Sequence, residues 1–103
     1  MSIVNYDNSS PSQVYYAATD VSFVTGDSPV TLDVNTGLSK NANDGYIIND
    51  GLGDFIVNLS SDGGSFGDDI LVKYEEVFSL KSLDVDSIKI TWVTDSSLRV
   101  FAK

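Results

Sequence analysis

The sequence predicts an all-β protein, a single-domain antiparallel β-sandwich or jelly roll, on three observations. Short runs with apolar residues at every second position recur along the chain, turn-forming residues separate them at close spacing, and no run carries a convincing helical period. The length of 103 residues suits one domain with a small core, of the kind that often gains stability from partners.

Taken in order, residues 1–11 read as an N-terminal arm or short edge strand ahead of a sandwich domain over residues 12–103. Ile3, Val4 and Tyr6 precede the polar Asp7-Asn8-Ser9-Ser10-Pro11, and such a segment either frays or reaches a neighbouring subunit. Val14, Tyr15 and Tyr16 favour a first strand up to Ala18. Val21 and Phe23 stand in phase in a second, and Gly26-Asp27-Ser28-Pro29 makes a turn. Val30, Leu32 and Val34 alternate in a third strand closed by Asn35-Thr36-Gly37, after which Leu38 to Gly45 is an exposed polar loop.

Tyr46-Ile47-Ile48 and the run from Asp54 to Ser60, with Phe55, Val57 and Leu59 in phase, flank the turn Asn49-Asp50-Gly51-Leu52-Gly53 and predict a hairpin. Ser61 to Gly67 holds three glycines in seven residues and reads as the most flexible stretch. Ile70 and Val72 share one face of a strand over Asp69 to Lys73, Tyr74-Glu75-Glu76 offers a turn, and Val77, Phe78, Leu80, Leu83 and Val85 continue the pattern. Ser87 to Lys103 predicts a second hairpin. Ile88, Ile90 and Trp92 fall on one face and Lys89 and Thr91 on the other, Thr94 to Ser97 supplies the turn, and Leu98 to Ala102 follows. That phase assigns Trp92 to the core.

The composition excludes several chemistries. With no cysteine and no histidine, disulfides, thiolate nucleophiles, Cys/His zinc sites and imidazole catalysis all drop out. The net charge of −9 opposes nucleic-acid binding, which draws its affinity from clustered Lys and Arg. Apolar runs are too short to span a membrane, and residues 1–11 lack the basic and apolar regions of a signal peptide, so synthesis in the cytoplasm is expected. Residues 1–72 carry ten acids against Lys40, a net of −9, whereas residues 73–103 carry five acids and five bases. The neutral part is therefore expected to lie nearer a partner.

Two acidic glycine-rich segments, Asn49 to Asp54 and Asp62 to Asp69, have calcium-type oxygen ligands but not the spacing of an EF-hand, and Asp and Gly are ordinary turn residues. No metal or cofactor is expected. The adjacent pairs Asp68-Asp69 and Glu75-Glu76 would point to opposite faces of a strand and so cannot confront a glycosidic bond together. Catalysis is not expected. Aromatic side chains offer a sugar-stacking platform, for which Tyr15, Tyr16 and Tyr46 are better placed than Trp92.

The order Tyr46-Ile47-Ile48-Asn49-Asp50-Gly51, Gly53-Asp54-Phe55-Ile56-Val57, Gly67-Asp68-Asp69-Ile70-Leu71-Val72-Lys73, Glu76-Val77-Phe78-Ser79-Leu80, Ile88-Lys89-Ile90-Thr91-Trp92 and Asp95-Ser96-Ser97-Leu98-Arg99-Val100-Phe101-Ala102 resembles small structural proteins of tailed bacteriophages. The likeness covers about residues 46–103 and is a pattern of turns and strands. It implies a virion structural protein, above all a capsid cement or decoration protein, that binds the major capsid protein or another virion protein as a homo-oligomer, with a trimer favoured. On this view Ile3, Val4 and Tyr6 in the arm and the aromatic anchors Tyr15, Tyr16 and Tyr46 make the contacts. The alternatives are a carbohydrate- or receptor-binding module of a tail or fibre and, third, a calcium-stabilised adhesion domain.

Overall fold

A computed structural model describes residues 14–18 and 28–103. The arm residues Ile3, Val4 and Tyr6, the strand expected around Val21 and Phe23, and Gly26-Asp27 lie outside the described residues. Among those described, eight strands form two four-stranded antiparallel sheets: β1 (Tyr15–Ala18), β2 (Val30–Asp33), β3 (Gly45–Asn49), β4 (Phe55–Ser60), β5 (Ile70–Val72), β6 (Val77–Ser79), β7 (Ser87–Trp92) and β8 (Leu98–Ala102). One sheet has the order β1-β8-β3-β6 and the other β2-β7-β4-β5. The pairings β1·β8, β2·β7, β3·β6 and β4·β5 are nested, so the chain is a long antiparallel ribbon closed at β4·β5 and rolled on itself by the further pairings β3·β8 and β4·β7. This is the strand order of a jelly roll.

Both expected hairpins are corrected by this topology. β3 and β4 lie in different sheets, as do β7 and β8, and among the described strands only β4 and β5 are consecutive and paired. The reason is burial. Ile88, Ile90 and Trp92 on β7 and Leu98, Val100 and Ala102 on β8 are all buried. Two apolar strand faces cover each other when the strands sit in opposite sheets about 10 Å apart, not when they lie side by side. Residues 93–97 accordingly form an arch across the sandwich.

The core confirms the period-2 reading of the individual strands. Rows Val30–Ile90–Val57–Ile70 and Trp92–Phe55–Val72 line one inner face, and Ala17–Val100–Ile47–Phe78 lines the other. Phe55 and Trp92 meet edge to face with ring centroids 5.4 Å apart, the arrangement that aligns one ring's positive edge with the other's negative face.

Elsewhere local chemistry overrides the alternation. Val34 begins a one-turn helix, α1 (Val34–Leu38), instead of extending β2. Asp33 caps it by accepting from the Thr36 amide (3.1 Å) and hydroxyl (2.7 Å), while buried Val34 and Leu38 hold the turn against the core. Leu83 and Val85 form no strand; Val85 makes a lone bridge to Ala42, which draws the loop over residues 39–44 onto the end of the sandwich. The glycine-rich β4–β5 connection is organised by Asp62, whose Oδ1 accepts from the Gly64 and Ser65 amides (2.8 and 2.9 Å) and the Ser60 hydroxyl (3.0 Å).

These packing contacts predict that Phe55→Ala and Trp92→Ala each destabilise the fold by about 3–5 kcal/mol. Because the two rings touch, the double variant loses less than the sum of the singles, as urea denaturation of all four proteins would measure.

Candidate docking surface

The two sheets bury similar inner faces but differ on their outer faces, where the β4–β5 connection bonds to Asn58 and Ser60 of one sheet and these, with Ser87, are buried. On the β2-β7-β4-β5 sheet the outward rows are Thr31–Lys89–Asn58, Asp33–Ser87–Ser60 and Thr91–Ile56–Leu71. Most of these positions are polar, and Phe66 from the β4–β5 loop lies with its ring centroid 5.0 Å from the Lys89 ammonium, a cation–π contact that covers part of that face.

The β1-β8-β3-β6 sheet is the reverse. Its outward rows are Tyr16–Phe101–Tyr46–Ser79 and Ala18–Arg99–Ile48–Val77. Tyr16, Tyr46, Phe101 and Val77 are 61%, 49%, 36% and 57% exposed, so three aromatics on three adjacent strands form one row open to solvent. None of the eight outward positions is acidic, on a chain with fifteen acids. The lone charge, Arg99, donates from Nε (2.7 Å) and from a terminal nitrogen (3.0 Å) to the Asp50 carboxylate at the edge of the face, which raises the guanidinium pKa through that hydrogen bond and the charge of Asp50.

Tyr16 and Tyr46, expected as surface anchors, thus meet across Phe101. Tyr15 faces the other way. Neighbours on a strand point to opposite sides, and Tyr15 packs against the core beside Gly37 of α1, where an added Cβ would sit 2.7 Å from its ring. Burial, and secondarily the charge of Asp33, push its phenol pKa up. Phe101, Arg99 and Val77 were not picked out in the sequence. Their alternation was legible, but their position beside the tyrosines depends on register across non-consecutive strands.

At one end of the sandwich the 50–54 turn, the 73–76 turn and the 93–97 arch are tied together. Buried Asn49 donates from Nδ2 to the carbonyls of Gly53 (2.8 Å) and Val72 (3.1 Å), and its Oδ1 accepts from the Gly51 amide (3.1 Å) and the Ser96 hydroxyl (2.8 Å). The Asp54 carboxylate accepts from the Tyr74 amide (3.1 Å), and its carbonyl accepts from the Val93 amide (3.1 Å). Gly51 and Gly53 are required by contact: a Cβ on either would collide with the Ser96–Ser97 backbone or with Asp95. This frame holds Leu52, 89% exposed, beside Val93 over a depression of about 610 Å³.

The same kind of contact occupies four of the five acids in the two acidic glycine-rich segments. Asp50 binds Arg99, Asp54 caps Tyr74, Asp62 caps its own turn and Asp69 accepts from Asn58 (2.7 Å). Among the described residues no three acids gather as a metal site would need. Nor does the neutral segment 73–103 occupy one side of the molecule, since it supplies β6 and β8 to one sheet and β7 to the other. Comparison with family models, with curated proteins and with solved structures returns no match.

Replacing Asn49 with Ala should cost about 2–3 kcal/mol in urea denaturation, because buried partners of both its donor and acceptor lose their bonds. The hydrogen bonds to Asp62 hold its pKa below the ordinary 3.8. Its contribution to stability is therefore complete above that value and is lost as pH falls through the lower, folded-state pKa. An NMR titration should show the Asp62 carboxyl titrating below 3.8 and moving back toward it when Ser60, one of its donors, is replaced by Ala.

Proposed function

We propose that this chain is a non-enzymatic structural protein of a tailed-phage virion, a capsid cement or decoration protein that works by assembling with other subunits. The observation that carries the reading is the acid-free aromatic face of the β1-β8-β3-β6 sheet. A strongly acidic chain that keeps one sheet face clear of acids and lined with Tyr16, Phe101, Tyr46 and Val77 has a surface suited to burial against protein, where aromatics contribute most of the binding energy. The phage setting rests on the resemblance of residues 46–103; the jelly roll hosts both capsid and lectin domains and does not choose between them.

In this role the protein stabilises a shell by binding the assembled state in preference to its separated parts. Contacts that are individually weak become effective when several are made from one oligomer. The end of the sandwich fits such a contact, because Leu52 and Val93 project from turns already held by Asn49 and Asp54 and lose little freedom on docking.

A second reading draws on the same face. An exposed aromatic row beside the Asp50–Arg99 pair offers both stacking and hydrogen bonding to a sugar, as a carbohydrate- or receptor-binding module of a tail or fibre would require. The two readings separate on one comparison. A cement protein binds saturably to assembled shells that lack it and raises their melting temperature; Leu52→Asp weakens that binding at least tenfold while leaving the fold intact. Binding to a glycan array or host cells, with none to shells, would establish the second reading instead.

A further inference from the structure

We infer that the outer face of the β1-β8-β3-β6 sheet is covered by the same face of a second copy of this chain, giving a symmetric dimer. This deepens, and rests on, the reading of the protein as an assembling component.

Charge selects the occupant. Two chains of net charge −9 repel each other at long range, so copies meet at least cost through surfaces that add no uncompensated acid at the contact. The eight outward positions of this sheet carry none, and Arg99 is neutralised by Asp50. The opposite sheet presents Asp33 and Lys89 outward. A basic partner would find no acids on the aromatic face to match its charge, whereas a second copy meets a surface as neutral and as apolar as its own.

Shape agrees. The face is made of two cross-strand rows rather than a pocket, and such a surface is complemented by another sheet stacked about 10 Å away. Around a twofold axis the aromatic row of one copy lies over the face of the other, the self-complementary pattern of an isologous contact. That contact is used up when one pair forms. A threefold ring would need two different surfaces, so this face makes a dimer and not the trimer expected from the resemblance.

Area sets the strength. At their exposed fractions, the three aromatics offer about 300 Å², taking about 200 Å² for a whole side chain. Val77, Ile48 and the Arg99 stem bring the face to roughly 500 Å², so a pair buries roughly 1,000 Å² in total, the lower edge of specific interfaces. A contact of that size falls among weak, transient interfaces, so the dimer is expected to be concentration-dependent. It would leave both copies of Leu52 exposed at the ends of the sandwiches, which are distinct from the covered face.

Sedimentation equilibrium of the full chain, from about 1 to about 500 µM, tests this. The expected result is a monomer–dimer equilibrium that Tyr46→Glu and Phe101→Glu each weaken at least tenfold and that Thr31→Glu, on the opposite face, leaves unchanged. Circular dichroism checks each fold, and Tyr16→Glu replaces any variant that fails to fold. A monomer at every concentration, a trimer, or a dimer indifferent to the substitutions on the aromatic face would overturn the inference. The virion role stands or falls independently: a protein that dimerises in this way but ignores shells keeps the dimer and loses that role, and one that binds shells as a monomer does the reverse.

Discussion

Everything in this molecule depends on one packing constraint, that the apolar faces of successive strands must cover each other across the sandwich. Ile88, Ile90 and Trp92 on β7 lie in one sheet, and Leu98, Val100 and Ala102 on β8 lie in the other. The same holds for Ile47 on β3 and Phe55 and Val57 on β4. Each crossing between sheets leaves a strand's backbone to be paired by a strand distant in sequence, β8 with β1 and β3, β7 with β2 and β4. The nested ribbon of the jelly roll satisfies both demands, burial between sheets and hydrogen bonding within them.

That arrangement decides where the connections go and what they must do. Crossings at one end place three connections side by side, and their polar backbone needs partners. Asn49 answers most of that need from a single buried side chain, and Asp54 completes it. At the other end, the Ala42–Val85 bridge and the bond from the Asn35 amide to the Asp86 carbonyl (2.9 Å) do similar work, joined by the Asn41 side chain, which donates to the Ser61 carbonyl (2.9 Å) and the Asp84 carboxylate (3.0 Å). Asp54 and Asp62, from the two acidic glycine-rich segments, serve here as acceptors that finish turns.

The candidate docking surface is a consequence of the same register. Pairing β8 between β1 and β3 sets Phe101 between Tyr16 and Tyr46, and pairing β6 outside β3 adds Val77. Aromatic neighbours across strands stabilise the sheet itself. Their outward exposure, on a face from which acids are missing, is what separates this sheet from its polar counterpart and makes it the candidate surface for the proposed assembly.

The sequence by itself determined that the class is all-β, which residues face inward in β2, β4, β5 and β7, Trp92 among them, and that Cys- and His-based chemistry is absent. It did not determine which strands pair. Alternation specifies two faces for a strand but not its neighbours, so two runs joined by a short polar segment look alike whether they form a hairpin or an arch. Val34 shows a smaller limit of the same kind, because a capping aspartate at position 33 and a buried Leu38 turned an apparent strand residue into the first of a helix. Only the tertiary structure brought Tyr16, Phe101 and Tyr46, spread over 86 positions of the chain, into one row. The physical reason is that cross-strand proximity is fixed by the burial of the whole core, to which every strand contributes.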